Sequence, residues 1–490
     1  MPRKKKRLYE GHVNDNQLVL PTGKLITFND EQYEGVNKIR LWLKNSDKDN
    51  YTFTLAGYAG TGKTTCIKKI LDEYRADVVV SAPTHKAKKI IMSTTDKEGK
   101  TLHSLLGLRP DVDLDNFNPN YPQFDAIADP TINDYDLVII DEASMINEDL
   151  YYMILRTVDG CDTKILFMGD PAQIPPVGEK ASVVFDWETN EFFQLTKIER
   201  QNQSNPLSEV YGELRNNLEE PRGGLVKDSK MNEIGEGVIF TDDRDLFKKM
   251  ILEKYRSEEF KRDLDFAKVV AWKNITVQGA NKSIRNELFG KGADVIEMGD
   301  ILMGYRSVRG SNGRYNIIDN SQDYRVVAKT EKSENKYGIM GWQVKLREDL
   351  PHGKFKHKNI FIIDFKDNDN LHRYGELHDE YKEIGLKREM IGSWGKYYAF
   401  RRDNILMKTI NKFRSGSPRS KKETIVKDMD YGMAITTHKS QGSTYTHVFV
   451  MEYDMDENWS VKERNQLKYT AMTRPTTSAV VLCNSVDDEL

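Results

Sequence analysis

Gly57-Tyr58-Ala59-Gly60-Thr61-Gly62-Lys63-Thr64 satisfies the phosphate-binding pattern G-x-x-x-x-G-K-[ST] at every required position. Before it, Tyr51 to Ala56 alternates aromatic or aliphatic residues with threonine, as a strand does; after it, Ile67, Ile70, Leu71 and Tyr74 recur at helical spacing. A strand, a glycine turn and a helix are therefore expected. In that setting the glycines let backbone N–H groups turn inward around a nucleotide triphosphate. Lys63 reaches the terminal phosphates, and the Thr64 hydroxyl is placed for Mg2+ at the positive end of the helix dipole. The bland alternative is a glycine turn that only reverses the chain, and the flanking strand and helix disfavour it.

Outward from this loop the same alternation continues. Within Thr27-Phe28-Asn29-Asp30-Glu31-Gln32 a capping residue leads into a helix whose Val36, Ile39, Leu41 and Leu43 can face a core. Beyond the loop, Val78 to Ala82, Leu137 to Ile140 and Ile165 to Met168 are short apolar strands separated by segments that can be helical, which predicts a parallel, helix-covered sheet. Each of these strands ends in polar residues where an open sheet places its site: Pro83-Thr84-His85-Lys86, Asp141-Glu142 and Gly169-Asp170-Pro171-Ala172-Gln173. A second set of strands, Lys268 to Trp272, His447 to Met451 and Ser478 to Cys483, has no such glycine loop and predicts a second α/β unit.

Two intervals break the pattern. Arg109 to Asp134 carries four prolines and the isolated aromatics Phe117, Tyr121 and Phe124, and reads as an inserted loop or hairpin. From about Ile301 to Met433 the chain is rich in strands and lysines, including Tyr324 to Lys329, Trp342 to Leu346 and Ile360 to Phe365, and reads as a domain inserted into the second unit. Within it, Lys408 to Lys422 has six basic residues and no acid before position 423, and reads as a surface loop, with a phosphate-facing loop as the alternative.

Composition bounds the function. The 490 residues are enough for several cores, and a net charge of −3 on 30% charged residues leaves room for a basic channel on an acidic body. Cys66, Cys161 and Cys483 are dispersed and odd in number, which argues against a disulfide frame or a zinc site. No apolar run reaches the ~18 residues of a membrane span, so a soluble, intracellular, cytoplasmic protein without a membrane partner is expected. The basic Pro2 to Arg7 reads as a solvated tail, or else as a nuclear address or nucleic-acid arm.

The carboxylates after Leu137 to Ile140 suit phosphate hydrolysis: Asp141 can hold the metal that Thr64 touches, and Glu142 can polarise the attacking water. Gln173, after the next strand, suits sensing of the γ-phosphate or ordering of water, with a loop hydrogen bond as the bland alternative. Arg200 and Arg474, outside the first unit, are guanidiniums that could stabilise charge on the transferring group.

Taken in order, Gly57 to Thr65, Ala82 to Lys86, Thr101 to Ser104, Asp141 to Ser144, Gly169 to Val177, Arg200, Thr436 to Gly442 and Tyr469 to Arg474 resemble the motifs of superfamily 1 helicases. The pattern is similar to the Dda-type helicases of T-even phages, in the RecD-like subgroup that moves five-prime to three-prime. The resemblance implies an α/β protein with two RecA-like parallel-sheet domains, an inserted hairpin or pin, and an inserted SH3-like, β-rich accessory domain. It divides the chain into a tail (1–25), a first RecA-like domain (26–107 and 135–199) with the pin (108–134), and a second (200–305 and 431–490) with the accessory domain (306–430).

It further implies ATP and Mg2+ as cofactors, single-stranded DNA and duplex junctions as partners, and replication or recombination proteins as further ones. Gln32 would read adenine. Gly57, Ala59, Gly60, Thr61, Gly62, Lys63, Thr64, Thr65 and Gly442 would line the nucleotide, and Thr64 and Asp141 would hold the metal. Lys63, Asp141, Glu142, Gln173, Arg200 and Arg474 would act in catalysis. Pro83, Thr84, His85, Lys86, His103, Thr437, His438 and Lys439 would face DNA, and Phe124 is the favoured wedge residue. An RNA helicase, a RecD-like subunit of a nuclease complex and a nucleotide-gated single-strand binding module remain the alternatives.

Overall fold

The structure is a computed structural model. It describes residues 14–20, 23–47, 49–74, 76–110, 124–126, 129–186, 188, 191–198, 205–221, 227–311, 315–350, 353–386, 393–413 and 422–484. The chain separates into two units: residues 1–83, 87–109 and 126–204 form the first, and residues 84–86, 110–125 and 205–490 the second.

The first unit is built on a six-stranded sheet in the order Glu191–Leu195, Thr52–Gly57, Lys164–Gly169, Leu137–Ile140, Val78–Ala82, Gly99–Thr101, parallel throughout. Its central strands are covered on both faces, which is why Leu137–Ile140 is an unbroken apolar run with every residue at 0% exposure. The strand carrying the glycine loop lies second from one edge, and the strand bearing Asp141 lies two places further in, so the loop and the carboxylates leave the same end of the sheet.

The helix Asp30–Lys44 opens with a full capping box, in which the Asn29 side chain accepts from the Gln32 N–H and the Gln32 side chain accepts from the Asn29 N–H. Its core face corrects the expected one. Val36 and Ile39 are buried, but Leu41 is 69% exposed and Trp42 takes the inward position at 1%. The cause is spacing: Val36, Ile39 and Trp42 lie three residues apart, whereas Leu41 falls on the opposite side of the helix. Leu41→Ala is expected to change stability by less than about 0.5 kcal/mol, and Trp42→Ala to cost about 3–5 kcal/mol. Denaturant unfolding of the two variants checks the assignment.

The second unit contains another six-stranded sheet, ordered Lys230–Met231, Gly237–Thr241, Pro475–Leu482, Tyr445–Met451, Ala267–Ala271, Ala434–Thr436, and parallel except for its first pair. Where the first unit has a glycine loop, Ala267–Ala271 runs directly into the helix Asn274–Phe289. Between them and Ala434–Thr436 the chain builds an antiparallel sheet from Ser333–Glu334, Met340–Leu350, Asp323–Lys329, Ile301–Gly304 and Met429–Tyr431, with Lys354–Ile363 also paired to Met340–Leu350. Its core is separate, formed by Leu302, Tyr324, Val326, Trp342, Val344, Leu346 and Ile360 among others.

Helices Asn368–Leu386 and Ser393–Asp403, which the sequence did not suggest, pack around Tyr374, Tyr397 and Phe400. At the basic stretch, Ile410–Phe413 pairs with Lys422–Ile425, and residues 414–421 between them lie outside the described residues. In the other insert, Leu108–Pro110 pairs with Phe124–Ala126. Phe117 and Tyr121 lie outside the described residues.

Candidate functional site

In the first unit the glycine loop leaves its strand at Gly57 and enters the helix Lys63–Glu73 through Gly62. Gly60 and Gly62 have φ of +83° and +87°, a region costly for residues with a Cβ. At Gly62 a Cβ would also lie 2.4 Å from Gln32 Nε2, so a larger residue would push the Gln32 amide off the loop it grips. The Thr61 hydroxyl donates to Tyr58 O at 2.9 Å, and the Lys63 ammonium donates to Gly57 O at 2.5 Å and Tyr58 O at 3.1 Å. Ala59, Thr64 and Thr65 are half-buried around this turn, with Thr65 N donating to Gly62 O.

Gln32, expected to read adenine, is buried at 4% exposure and grips the loop itself: its Nε2 donates to Thr61 O at 2.9 Å while its Oε1 caps Asn29. One amide hydrogen and one lone pair are left for a base. Beside it, Glu31 accepts from Thr196 N, Lys197 N and the Thr196 hydroxyl, tying the segment after strand Glu191–Leu195 to the same helix start. The sequence reading overlooked Glu31; an acidic residue in a first helical turn gives no sign of so distant a partner.

The Asp141 carboxylate accepts from Glu142 N at 2.9 Å. Burial pushes its pKa up, while that N–H bond and the charge of Lys63 pull it down. Lys63 and Asp141 therefore act within one electrostatic neighbourhood, and the hard oxygens of Thr64 and Asp141 suit a Mg2+ ion. Glu142 has φ +56° and ψ 41°, a left-handed conformation for a residue with a side chain. Such strain persists only where the surroundings enforce it. Ser182 supplies part of that enforcement, donating to Ala143 O and Ile146 O, and Gly169 supplies another, since a Cβ there would meet Ala143 N at 3.0 Å. Gln173 is buried at 6% in the turn after Gly169.

The strand-facing residues are less uniformly available than the motifs suggest. Pro83 and His103 are half-buried in the first unit, His103 on the short helix Leu102–Leu105. Thr84, His85 and Lys86 group with the second unit. There Lys86 is buried, its ammonium 2.6 Å from Asp265 and 3.4 Å from Asp323. Burial alone would lower its pKa, but Asp265, Tyr445 and Asp323 hold it well above the usual lysine range. A phosphate contact would require exchanging these carboxylates. His85 Nδ1 lies 3.4 Å from Asp319.

Thr437 is wholly buried with its hydroxyl donating to Ala271 O, so it anchors its turn rather than presenting itself. His438 and Lys439 are half-buried, and burial lowers the His438 pKa against the opposing charge of Glu463. Gly442 turns at φ +66°.

Arg474, expected at a phosphate, is 5% exposed. Its guanidinium donates to Thr470 O, Ser443 O, Ser440 O and the Thr473 hydroxyl, clamping the turn after Thr437–Ser440 to the end of the helix Val461–Met472. Arg200 lies outside the described residues, as does the side chain of Phe124.

An AAA domain matches residues 28–231 and a UvrD-like helicase C-terminal domain matches residues 431–482. Uncharacterized protein R530 of Acanthamoeba polyphaga mimivirus is 27% identical over 91% of this chain and 98% of its own length. The ATP-dependent DNA helicase dda of Enterobacteria phage T4 is 30% identical over 57% of this chain and 62% of its own length. The ATP-dependent RecD2 DNA helicase of Deinococcus radiodurans is 31% identical over 35% of this chain and 24% of its own length. Among solved structures, Bacteroides Pif1 helicase in complex with ADP-AlF3 and single-stranded DNA superposes with a TM-score of 0.51 at 17% identity, covering 95% of this chain and 94% of that one.

Proposed function

We infer that this chain, a superfamily 1 helicase of the Dda and Pif1 type, is an ATP-dependent DNA helicase that moves five-prime to three-prime along single-stranded DNA and separates duplexes. The observation that carries the reading is the meeting, within one unit, of Lys63 on its glycine loop and the Asp141-Glu142 pair at the end of a parallel strand. Lys63 meets the terminal phosphates, and Glu142, aimed by its enforced backbone, takes the proton of the attacking water. Mg2+, held by Thr64 and Asp141, supplies charge neutralisation on the phosphates when bound.

Gln32 fixes the loop that receives the phosphates, and its remaining hydrogen-bonding capacity addresses the base. Gln173 senses the γ-phosphate, and Arg200 and Arg474 are the guanidiniums for charge on the transferring group. His85, His103, His438 and Lys439 contact the strand, and the paired strands Leu108–Pro110 and Phe124–Ala126 form the base of the pin that opens the junction. Replication or recombination proteins are the further partners.

The test is ATP turnover with and without single-stranded DNA, repeated with RNA of the same sequence. Strong stimulation by DNA is expected. Turnover indifferent to either polymer would reduce the protein to a nucleotide-gated binder, and stimulation by RNA alone would replace its substrate.

A further inference from the structure

Beside the glycine loop, the first unit carries a carboxylate to which the hydrolysis reading gives no task. Glu31 accepts from Thr196 N and Lys197 N through one oxygen, at 2.8 Å each, and from the Thr196 hydroxyl through the other, at 2.7 Å. Thr196 is 165 residues away in sequence. The helix itself prepares this approach. One turn after Glu31, Gly35 faces the Phe193 ring, where a Cβ would come within 3.0 Å, so the helix Asp30–Lys44 lies close on the strand Glu191–Leu195. That strand ends level with the loop, because Leu195 pairs with Gly57 in parallel register. Three segments therefore converge: the helix start with Gln32, the glycine loop that Gln32 grips at Thr61 O, and the segment Thr196-Lys197 held by Glu31. The helix is already seated on the strand by Gly35 and by Lys38, whose ammonium lies 4.8 Å from the Phe193 centroid. What the carboxylate fixes is the backbone beyond the strand's end.

We propose that Glu31 is a positioning residue for the nucleotide base: it holds Thr196-Lys197 ready beside Gln32, so that the base meets a preformed edge, and thereby sets the preference for adenine. The proposal rests on the reading of Gln32 as the base contact and adds the residue that readies the segment next to it. Gln32 has one amide hydrogen and one lone pair left. A donor and an acceptor together suit the amino group and ring nitrogen of adenine and mismatch guanine, whose corresponding oxygen only accepts.

A segment ordered beforehand adds no ordering cost when the base arrives. Without the carboxylate, the backbone of Thr196 and Lys197 is fixed only on binding, which weakens it. Burial pushes the Glu31 pKa up, but the N–H groups of Lys197 and Thr196 and the Thr196 hydroxyl outweigh it and hold the carboxyl below its usual range. The three bonds to Glu31 therefore stand throughout the neutral range.

The experiment is calorimetric titration of the full chain with ADP, GDP and inorganic pyrophosphate, each with Mg2+, for wild type, Glu31→Ala and Glu31→Gln, with melting curves confirming that each variant is folded. Pyrophosphate reports the glycine loop, and the difference between ADP and GDP reports the base. Wild type should bind ADP more tightly than GDP. Glu31→Ala should lose about tenfold in ADP affinity and most of the preference over GDP, with pyrophosphate affinity unchanged. Glu31→Gln should bind like wild type, because a glutamine oxygen still accepts from the two N–H groups while its amide donates to the Thr196 hydroxyl. Unchanged ADP affinity in Glu31→Ala, or an equal loss for ADP and pyrophosphate, overturns the role of Glu31 while leaving Gln32 as the base contact. A loss in Glu31→Gln as large as in Glu31→Ala overturns it too. Wild type that does not distinguish ADP from GDP overturns the base reading itself.

Discussion

Glu142→Gln is expected to lower DNA-stimulated ATP turnover by at least about a hundredfold, the usual contribution of a positioned general base, with little change in melting temperature. Glutamine keeps the shape and loses the proton acceptor. Lys63→Ala should be equally inactive, because it removes the charge that meets the phosphates. Glu142 offers a sharper control. Its φ of +56° costs a residue with a Cβ about 1 kcal/mol or more, so Glu142→Gly should abolish turnover while holding or raising the melting temperature. Steady-state hydrolysis and thermal unfolding of the same preparations read both quantities. A Glu142→Gly protein that melts several degrees lower would show that the conformation is not strained, and a turnover near wild type in Glu142→Gln would remove Glu142 from catalysis.

Arg474→Ala should be destabilising as well as inactive. A guanidinium acting only at a phosphate would leave the unliganded protein unchanged when truncated. Here it donates to three carbonyls and a hydroxyl at 5% exposure, and hydrogen bonds from a charged group contribute about 1.5–3 kcal/mol each before the cost of stranding buried acceptors. A loss of several kcal/mol is expected in denaturant unfolding of the second unit, together with loss of turnover. Unchanged stability with lost turnover would return Arg474 to a role at the phosphate alone.

The glycine loop and the carboxylates at the strand end were legible in the sequence because their patterns are local. Gly57 to Thr64 is a contiguous pattern, and Asp141-Glu142 follows an apolar run too short and too uniform to be anything but a buried strand. What escaped was set by contacts between distant segments. Gln32 sits next to Glu31 in sequence, yet one grips the glycine loop and the other the segment at Thr196; neither contact has a local signature. The burial of Lys86, Thr437 and Arg474 was equally invisible, since a motif records which residue is present and not what it touches. The helix Asn368–Leu386 could have been found: Leu371, Tyr374, Leu377 and Tyr381 are spaced for one face, but histidines and charges between them masked the period. Leu41 departs from its expected place because position around the helix, and not apolar character, decides which side chain faces the core.

The central claim is that ATP hydrolysis drives directional strand separation. The most direct measurement is strand displacement in the presence of ATP and Mg2+ on two DNA duplexes that differ only in whether the single-stranded tail is five-prime or three-prime. Displacement from the five-prime tail and none from the three-prime tail is expected, with Glu142→Gln inactive on both. Displacement from the three-prime tail alone, or from neither tail by a protein that hydrolyses ATP in the presence of DNA, would contradict it.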